Sequence, residues 1–138
     1  MATRAEPRVG NPIVGTWRLT SFTEENLDTG AVSYPFGVAA RAFVIYDVIG
    51  YVATIFSAGE QEAVQLYRSM IAFAGRYELV ANRLLYRPEI SWNEAWNGTT
   101  QERVFEVKED RLEVKSVPAV SALTGARTVF SLAWQRVA

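Results

Sequence analysis

The chain has 138 residues, of which 49% are apolar and 21% are charged, as expected for one globular domain with a hydrophobic core. Fourteen basic and fifteen acidic side chains give a net charge of −1, so there is no electrostatic basis for binding nucleic acid or an anionic membrane. Histidine and cysteine are both absent, which excludes catalytic triads, thiolate nucleophiles, disulfides and zinc sites built on these residues.

The glycines and aspartates form no recognised cofactor or metal motif. The nine glycines include no G-x-G pair and no phosphate-binding loop of the form G-x-x-x-x-G-K-[ST]. Asp28, Asp47 and Asp110 lack the spacing of a calcium loop, and Asp47 is instead expected to stabilise a turn. We therefore predict that the protein uses no cofactor and binds no metal.

The N-terminal segment is not expected to act as a targeting signal. Residues 1–12 carry three charged side chains and no apolar run of signal-peptide length. We predict a flexible segment over residues 1–12, one domain over residues 13–138, and a cytoplasmic location. Arg41 and Asp47 interrupt the most apolar region, so no transmembrane helix is expected.

Alternation of apolar and polar residues, the period of a half-buried strand, recurs along most of the chain. The first such segment places Trp17, Leu19 and Ser21 on one face. A turn-rich segment over 24–37 separates it from a hairpin that turns at Asp47. The predicted strands cover residues 13–22, 41–46, 50–56, 76–80, 84–92, 99–107, 111–117 and 127–137.

A helix is predicted between the third and fourth strands. Residues 57–60 have the spacing of a capping box, and apolar residues then recur at helical intervals. Gly75 stands where a helix C-terminus belongs, which gives a helix of about three or four turns. Eight short antiparallel strands are typical of a closed barrel whose interior fits side chains or one small ligand. The predicted fold is therefore all-β, an eight-stranded antiparallel β-barrel with one short α-helix near the barrel mouth.

Six blocks of the sequence, in order along nearly the whole chain, resemble the lipocalin-like domain proteins of bacteria and fungi. The resemblance implies a β-barrel with one interior pocket, and members near secondary-metabolite pathways look like cofactor-free tailoring proteins. Members commonly carry a histidine where this chain has Tyr86 and Arg87, so a mechanism that uses that imidazole is absent here. The matching blocks are Val14-Gly15-Thr16-Trp17-Arg18-Leu19 with Ser21-Phe22, Tyr34-Pro35-Phe36-Gly37, Ile45-Tyr46 with Gly50-Tyr51, Ala72-Phe73-Ala74-Gly75-Arg76-Tyr77-Glu78, Gly98-Thr99 with Gln101 and Arg103, and Leu132-Ala133-Trp134-Gln135-Arg136-Val137.

Strand parity predicts which side chains line the interior, given that the tryptophan of the G-x-W motif faces inward in lipocalins. For the strand over 84–92 two alternatives remain: one turns Tyr86, Ile90 and Trp92 inward, and the other turns Arg87, Glu89 and Ser91 inward. We favour Tyr86 and Trp92, and a bulge at Pro88 would mix the two sets. The other predicted lining residues are Trp17, Leu19, Ser21, Tyr46, Tyr51, Ala53, Tyr77, Leu79, Arg103, Phe105, Phe130, Leu132 and Trp134.

Arg103 is the first candidate for function, because it interrupts an apolar strand. A guanidinium inside a barrel must pair with an acid such as Glu89 or Glu102, or meet a ligand carboxylate, enolate or carbonyl; otherwise Arg103 faces solvent. Glu89 is the proposed general base, since apolar surroundings raise a carboxyl pKa and a nearby arginine lowers it. Tyr46 and Tyr77 complete the predicted catalytic set as hydrogen-bond donors or acids.

The aromatic residues define a ligand-binding prediction. Trp92 and Trp96 lie in or beside a loop, where they would stack on a flat ligand at the barrel mouth. Trp17 and Arg136 are instead expected to close the barrel base through a cation–π contact. The predicted ligand contacts are Tyr51, Tyr86, Trp92, Trp96, Phe105, Phe130 and Leu132.

Three functions fit these features. The first is a cofactor-independent isomerase, cyclase or lyase acting on a small hydrophobic secondary-metabolite intermediate, with proton transfer by Arg103, Glu89 and a tyrosine. The alternative is a binding or carrier protein for a small apolar ligand. A third is a dimeric scaffold whose barrel is filled by its own side chains. The expected partners are a small hydrophobic ligand or substrate and a second copy in a homodimer, with no nucleic acid and no membrane.

Overall fold

The computed structural model describes residues 11–58, 70–120 and 125–137. Within them, ten strands form one sheet in the order β2-β1-β3-β4-β5-β6-β7-β8-β10-β9, and the neighbouring strands pair antiparallel. Because β1 also pairs with β10, eight of the strands close into a barrel, which confirms the predicted fold. The strands are β1 (Gly15–Asn26), β2 (Val32–Ser33), β3 (Arg41–Tyr46), β4 (Tyr51–Ser57), β5 (Met70–Val80), β6 (Arg83–Ser91), β7 (Gln101–Lys108), β8 (Arg111–Ser116), β9 (Ala119–Val120) and β10 (Arg127–Arg136).

The predicted helix is wrong over its C-terminal part, where β5 runs from Met70 as a strand. Phe73 packs against the core, while Ala72 and Ala74 take the opposite, outward parity. Since these outward residues are themselves apolar, the alternation of a strand is hidden in the sequence. The middle of the predicted helix, residues 59–69, lies outside the described residues; in the described part the helical turn is a 3-10 helix over Glu94–Trp96.

Gly75 was interpreted as the end of that helix, but it is required by a close approach of two strands. A Cβ at this position would lie 2.8 Å from the Glu89 amide nitrogen and 2.9 Å from Pro88 Cα, distances that backbone atoms do not tolerate. The register of β5 and β6 shifts at this point, between Ala74 and Gly75. The glycine therefore accommodates the bulge near Pro88 that was predicted from the proline.

A second bulge changes the parity of β1. The register against β10 shifts between Leu19 and Ser21, so Phe22 rather than Ser21 is buried. The expectation that Ser21 lines the interior is therefore wrong. After the bulge β1 continues to Asn26, four residues beyond the predicted end at 22, and pairs there with the two-residue strand β2.

The closed end of the barrel contains the predicted tryptophan and arginine pair. Trp17 is fully buried, and its Nε1 donates to the Ile13 carbonyl oxygen at 2.9 Å. The Arg136 guanidinium lies 4.1 Å from the centre of the Trp17 ring and donates to the carbonyl oxygens of Val14 at 2.8 Å and Pro12 at 2.9 Å. The predicted cation–π closure is confirmed.

Tyr77 also belongs to the closed end. Its hydroxyl accepts from Asn11 Nδ2 at 3.0 Å and donates to the Asp47 carbonyl oxygen at 2.6 Å. The Asp47 carboxylate in turn accepts from the amides of Ile49, Gly50 and Tyr51, as expected for turn chemistry. Of the segment predicted to be flexible, residues 1–10 lie outside the described residues, whereas Asn11 and Pro12 are held by hydrogen bonds.

The outer face of β3 and β4 is apolar and exposed. Phe43, Ile45 and Ile55 point outward and are 42%, 49% and 53% exposed. Tyr51 and Ala53 share this outward face, so the expectation that they line the interior is wrong, and Tyr51 lies against Arg76 outside the barrel. Across the described ranges, no helix is long and apolar enough to span a membrane.

Candidate functional site

The loop between β6 and β7 has a fixed backbone at the end of the barrel opposite Trp17. Its 3-10 helix, Glu94–Trp96, is capped by Asn93, whose side chain accepts from the Ala95 amide at 3.1 Å. The Ser91 hydroxyl lies 2.6 Å from the Asn93 carbonyl oxygen and 2.6 Å from Asn97 Oδ1. The Ser91 hydroxyl shares its one proton between these two acceptors and, together with the Asn93 cap, links the start of the loop to its later residues.

Five aromatic rings lead from this loop into the barrel. The ring centres of Trp92 and Trp96 are 5.8 Å apart, and Trp96 is 6.2 Å from Phe73. Phe73 is 5.3 Å from Tyr86, which is 6.3 Å from Tyr46. These spacings are those of ordinary aromatic contacts, so the rings form a continuous series of contacts that we call the aromatic path. Phe73 was missed as a site residue because its segment was predicted to be helical.

An open cleft of about 510 Å³ lies at the outer end of the aromatic path. Small-molecule sites commonly have volumes of about 300–1,000 Å³, and the volume of the cleft falls within this range. Its lining residues are Ser91, Trp92, Asn93, Glu94 and Ala95.

Tyr46 and Tyr86 form a buried pair at the inner end of the aromatic path, and their hydroxyls are hydrogen-bonded to each other. Burial and the neighbouring Tyr86 raise the pKa of Tyr46 well above its usual value. Burial also raises the pKa of Tyr86 to about 12, against the opposing effects of the Tyr46 hydrogen bond and of Arg103. Both phenols are therefore protonated at neutral pH. Each phenol carries one hydroxyl proton, and one of the two protons forms the mutual hydrogen bond. The other proton has no acceptor among the described residues.

Arg103 faces the interior from β7, opposite the fully buried Leu84 of β6. Burial lowers the pKa of its guanidinium, while the nearby Tyr86 and Tyr46 act in the opposite direction. An arginine titrates so far above neutrality that it stays charged despite this shift. Arg103 is thus a partly buried positive charge beside two phenols, in agreement with its predicted inward orientation.

The hydrogen bonds of Arg103 satisfy only part of its guanidinium. Nη1 donates to the Glu102 carbonyl oxygen at 2.9 Å, and Nη2 donates to Gln101 Oε1 at 3.2 Å. Neither acceptor is a carboxylate. The Glu102 carboxylate, one of the two predicted partners, pairs instead with Arg83 at 3.0 Å. Across the part of the chain that the structure describes, Arg103 has no ion-pair partner.

Glu89, the other predicted partner and the predicted general base, is exposed and lies outside the interior. It stands at the bulge of β6, directly after the buried Pro88. Arg87 also points outward, where it pairs with Glu78 at 2.9 Å. The favoured alternative is right for Tyr86, which is buried, and wrong for Ile90, which is 74% exposed beyond the bulge. The expectation that Glu89 reaches Arg103 inside the barrel is also wrong, because the bulge turns its side chain to solvent.

Trp134 contributes a buried hydrogen-bond donor. Strand parity predicted that this residue lines the interior but did not predict a polar role for it. It is 3% exposed on β10, and its ring centre lies 5.5 Å from that of Phe56. Its Nε1 has no hydrogen-bond partner among the described residues. A buried N–H without an acceptor costs about 1–3 kcal/mol, so such a group is unusual in a folded protein.

The remaining predicted site residues either line the interior or belong to the closed end of the barrel. Phe105, Phe130 and Leu132 are partly buried and pack against the core, as predicted for lining residues. The Tyr77 hydroxyl is fully engaged with Asn11 and Asp47 at the closed end, while its ring centre lies 5.0 Å from that of Tyr46 at the inner end of the aromatic path. Within the described ranges, no three histidine, cysteine, aspartate or glutamate side chains group together as metal ligands.

A closed eight-stranded barrel with aromatic side chains inside it is typical of proteins whose interior is filled by side chains or holds one small ligand. The sequence profile of the lipocalin-like domain family matches residues 14–137, and the chain belongs to this family. The chain is also similar to the 4'-hydroxy-3'-methoxypropiophenone carrier protein ppsC of Aspergillus oryzae (strain ATCC 42149 / RIB 40). The two are 29% identical over 89 residues, which cover 59% of this chain and 79% of the relative.

Proposed function

We propose that the protein binds and carries a small, flat, mostly apolar molecule that enters beside Trp92 and Trp96. The observation that carries this proposal is the aromatic path, which joins the cleft to the buried tyrosine pair at Tyr46 and Tyr86. Aromatic walls with a few polar groups at the inner end are typical of small-molecule sites. The similarity to a protein named as a carrier of an aryl ketone supports the same function.

A carrier function fits the site better than the tailoring enzyme that was the first hypothesis. A general base must reach the proton that it removes, and the exposed Glu89 lies outside the interior. Tyr46 and Tyr86 have pKa values raised by burial, so they donate hydrogen bonds at neutral pH but do not accept protons. These polar groups are suited to orienting a ligand.

The proposal is tested with the purified protein and an extract of its producing organism. Native mass spectrometry and tryptophan fluorescence detect a bound molecule, and chromatography of the same mixture follows its fate. The first single probe is 4'-hydroxy-3'-methoxypropiophenone, the compound in the name of the relative. A carrier retains and releases its ligand unchanged. Consumption of the ligand with a product of equal mass, or of mass lowered by water, would contradict the carrier function and favour an isomerase, cyclase or dehydratase.

We also propose that the protein acts in the cytoplasm as a homodimer. The exposed apolar face of Phe43, Ile45 and Ile55 supports self-association, since apolar patches on a soluble surface commonly mark an interface. Mass measurement in solution tests the dimer, and Ile55→Lys is the matching variant because its side chain points away from the interior. A monomeric wild-type protein at micromolar concentration would contradict the dimer and leave the carrier function unaffected.

A further inference from the structure

Three side-chain groups of the barrel interior have hydrogen-bond donors without an acceptor among the described residues. Within that part of the chain, Trp134 Nε1 has no partner, the pair of Tyr46 and Tyr86 has one proton without an acceptor, and Arg103 uses two of its five N–H groups. A ligand that supplied only donors would leave all of these groups unsatisfied. A ligand oxygen is the complementary group.

The positive charge of Arg103 favours an anionic ligand oxygen over a neutral one. Its position opposite the fully buried Leu84 turns the Arg103 side chain toward the interior, where burial lowers the pKa of the guanidinium and no described carboxylate pairs with it. Burying a charge without a partner is unfavourable, and it becomes favourable when an anion arrives with the correct geometry. Guanidinium groups bind carboxylates through two parallel hydrogen bonds and other oxyanions through charge-assisted hydrogen bonds, and both are stronger than a bond to a neutral ketone oxygen.

We infer that the ligand is a planar aromatic molecule bound as its oxyanion, a carboxylate or a conjugated enolate or phenolate, with the anionic oxygen on Arg103 and the buried tyrosine pair. This inference rests on the proposed binding function and specifies the chemistry of its ligand. The rings of Phe73, Trp96 and Trp92 accept the aromatic part of the molecule. The ligand's charge thus enters the barrel interior, while its rings lie along the aromatic path.

Two probes of nearly equal shape separate charge from aromatic contact: 2-naphthoate, which is an anion at neutral pH, and 2-acetylnaphthalene, which is a neutral ketone. Calorimetric titration measures the dissociation constant of each for the wild-type protein and for Arg103→Met. We expect Arg103→Met to weaken naphthoate binding by at least about 10-fold, the loss typical of a hydrogen bond to a charged group, and ketone binding by less than about 3-fold. Arg87→Met is the matched control, since this arginine points outward from the adjacent strand and should leave both constants unchanged.

Arg103→Met should also have a denaturation midpoint no lower than that of the wild type, since it removes an unpaired charge from the interior. If Arg103→Met does not fold, Arg103→Lys replaces it; this variant keeps the charge but loses the planar fork, so it should weaken naphthoate binding and spare the ketone.

Four outcomes would overturn the inference. Equal weakening of both probes would make Arg103 a structural residue. Unchanged naphthoate binding in the variant would exclude Arg103 from the anion site. A wild-type protein that binds the ketone but not naphthoate would overturn the anion and leave the proposed carrier function intact. A protein that binds neither probe, nor 4'-hydroxy-3'-methoxypropiophenone, would overturn the carrier function itself.

Discussion

The closed end and the interior of the barrel differ in how completely their polar groups are hydrogen-bonded. At the closed end, Trp17 Nε1 has an acceptor, Arg136 donates to two carbonyl oxygens, and the Tyr77 hydroxyl both donates and accepts. In the interior, the same three residue types retain unused donors, at Trp134, Arg103 and the pair of Tyr46 and Tyr86. The residues at the two locations are buried to a similar extent. The number of their hydrogen-bond partners therefore separates the part of the barrel that stabilises the fold from the part proposed to meet a ligand.

This comparison teaches that residue type alone does not identify a site. A tryptophan, an arginine and a tyrosine occur at each location, and only the hydrogen-bond count distinguishes them. Stability should therefore depend on the closed end, and binding should depend on the interior and on the loop that carries Trp92 and Trp96.

The largest expected effect is that of Trp17→Ala. Trp17 is fully buried, and removing an aromatic side chain of this size from a core costs about 3–5 kcal/mol of unfolding free energy. Chemical denaturation followed by circular dichroism measures the loss. A loss below about 1 kcal/mol would contradict the assignment of the closed end as the stabilising part.

Alkaline pH should destabilise the protein through the buried phenols. The Tyr86 phenol titrates near 10 in the unfolded chain and at about 12 in the folded protein, so only the unfolded state releases its proton between these values. The unfolding free energy should be independent of this group below pH 10 and fall by about 3 kcal/mol as the pH rises to 12. Denaturation midpoints measured from pH 8 to pH 12 test this. Tyr86→Phe should show a shallower decline, and an equal slope would assign the effect elsewhere.

Arg136→Met should lower the unfolding free energy by about 1.5–3 kcal/mol, because it removes hydrogen bonds from a charged donor and the contact with Trp17. The same substitution at Arg103, on an unpaired guanidinium, should not destabilise the protein. Parallel urea titrations of the two variants give the comparison directly. If both variants lose equal stability, the distinction between the two ends is wrong.

The smallest effect on stability is expected for Trp96→Ala. Trp96 is only partly buried, and the loop is held by hydrogen bonds of Ser91 and Asn93 that do not involve its indole ring. Stability should change by less than about 1 kcal/mol, while affinity for a planar aromatic probe should fall by about 5-fold or more through the loss of one ring contact. Thermal denaturation and calorimetric titration measure the two quantities. Unchanged affinity would remove the outer part of the aromatic path from the binding site.

The fold was predictable because strand alternation survives in most of the chain. The bounds of β3, Arg41–Tyr46, agree fully, and the eight barrel strands were all found in part. The errors occur where a bulge changes parity, at Ser21 and Glu89, and where outward alanines hide the alternation of β5. A further error lies in β4, where the outward residues Tyr51, Ala53 and Ile55 are as apolar as the inward ones. A bulge arises from the pairing of two strands, so the pattern of one strand does not contain it.

The candidate site was only half predictable for a related reason. Parity correctly turned Tyr46, Tyr86 and Arg103 inward, and it identified Trp134 as a lining residue. Which of their hydrogen-bonding groups lack a partner depends on neighbours from other strands, such as the Glu102 carboxylate that pairs with Arg83. Such information exists only in the assembled barrel.

In the loop between β6 and β7, one set of residues maintains the backbone conformation and another set presents aromatic rings. Ser91, Asn93 and Asn97 maintain the backbone, whereas Trp92 and Trp96 present the rings. Substitutions at the two tryptophans therefore leave the determinants of loop shape in place. The ligand preference of the barrel can diverge during evolution, or be redesigned, by exchanging two side chains on a constant frame.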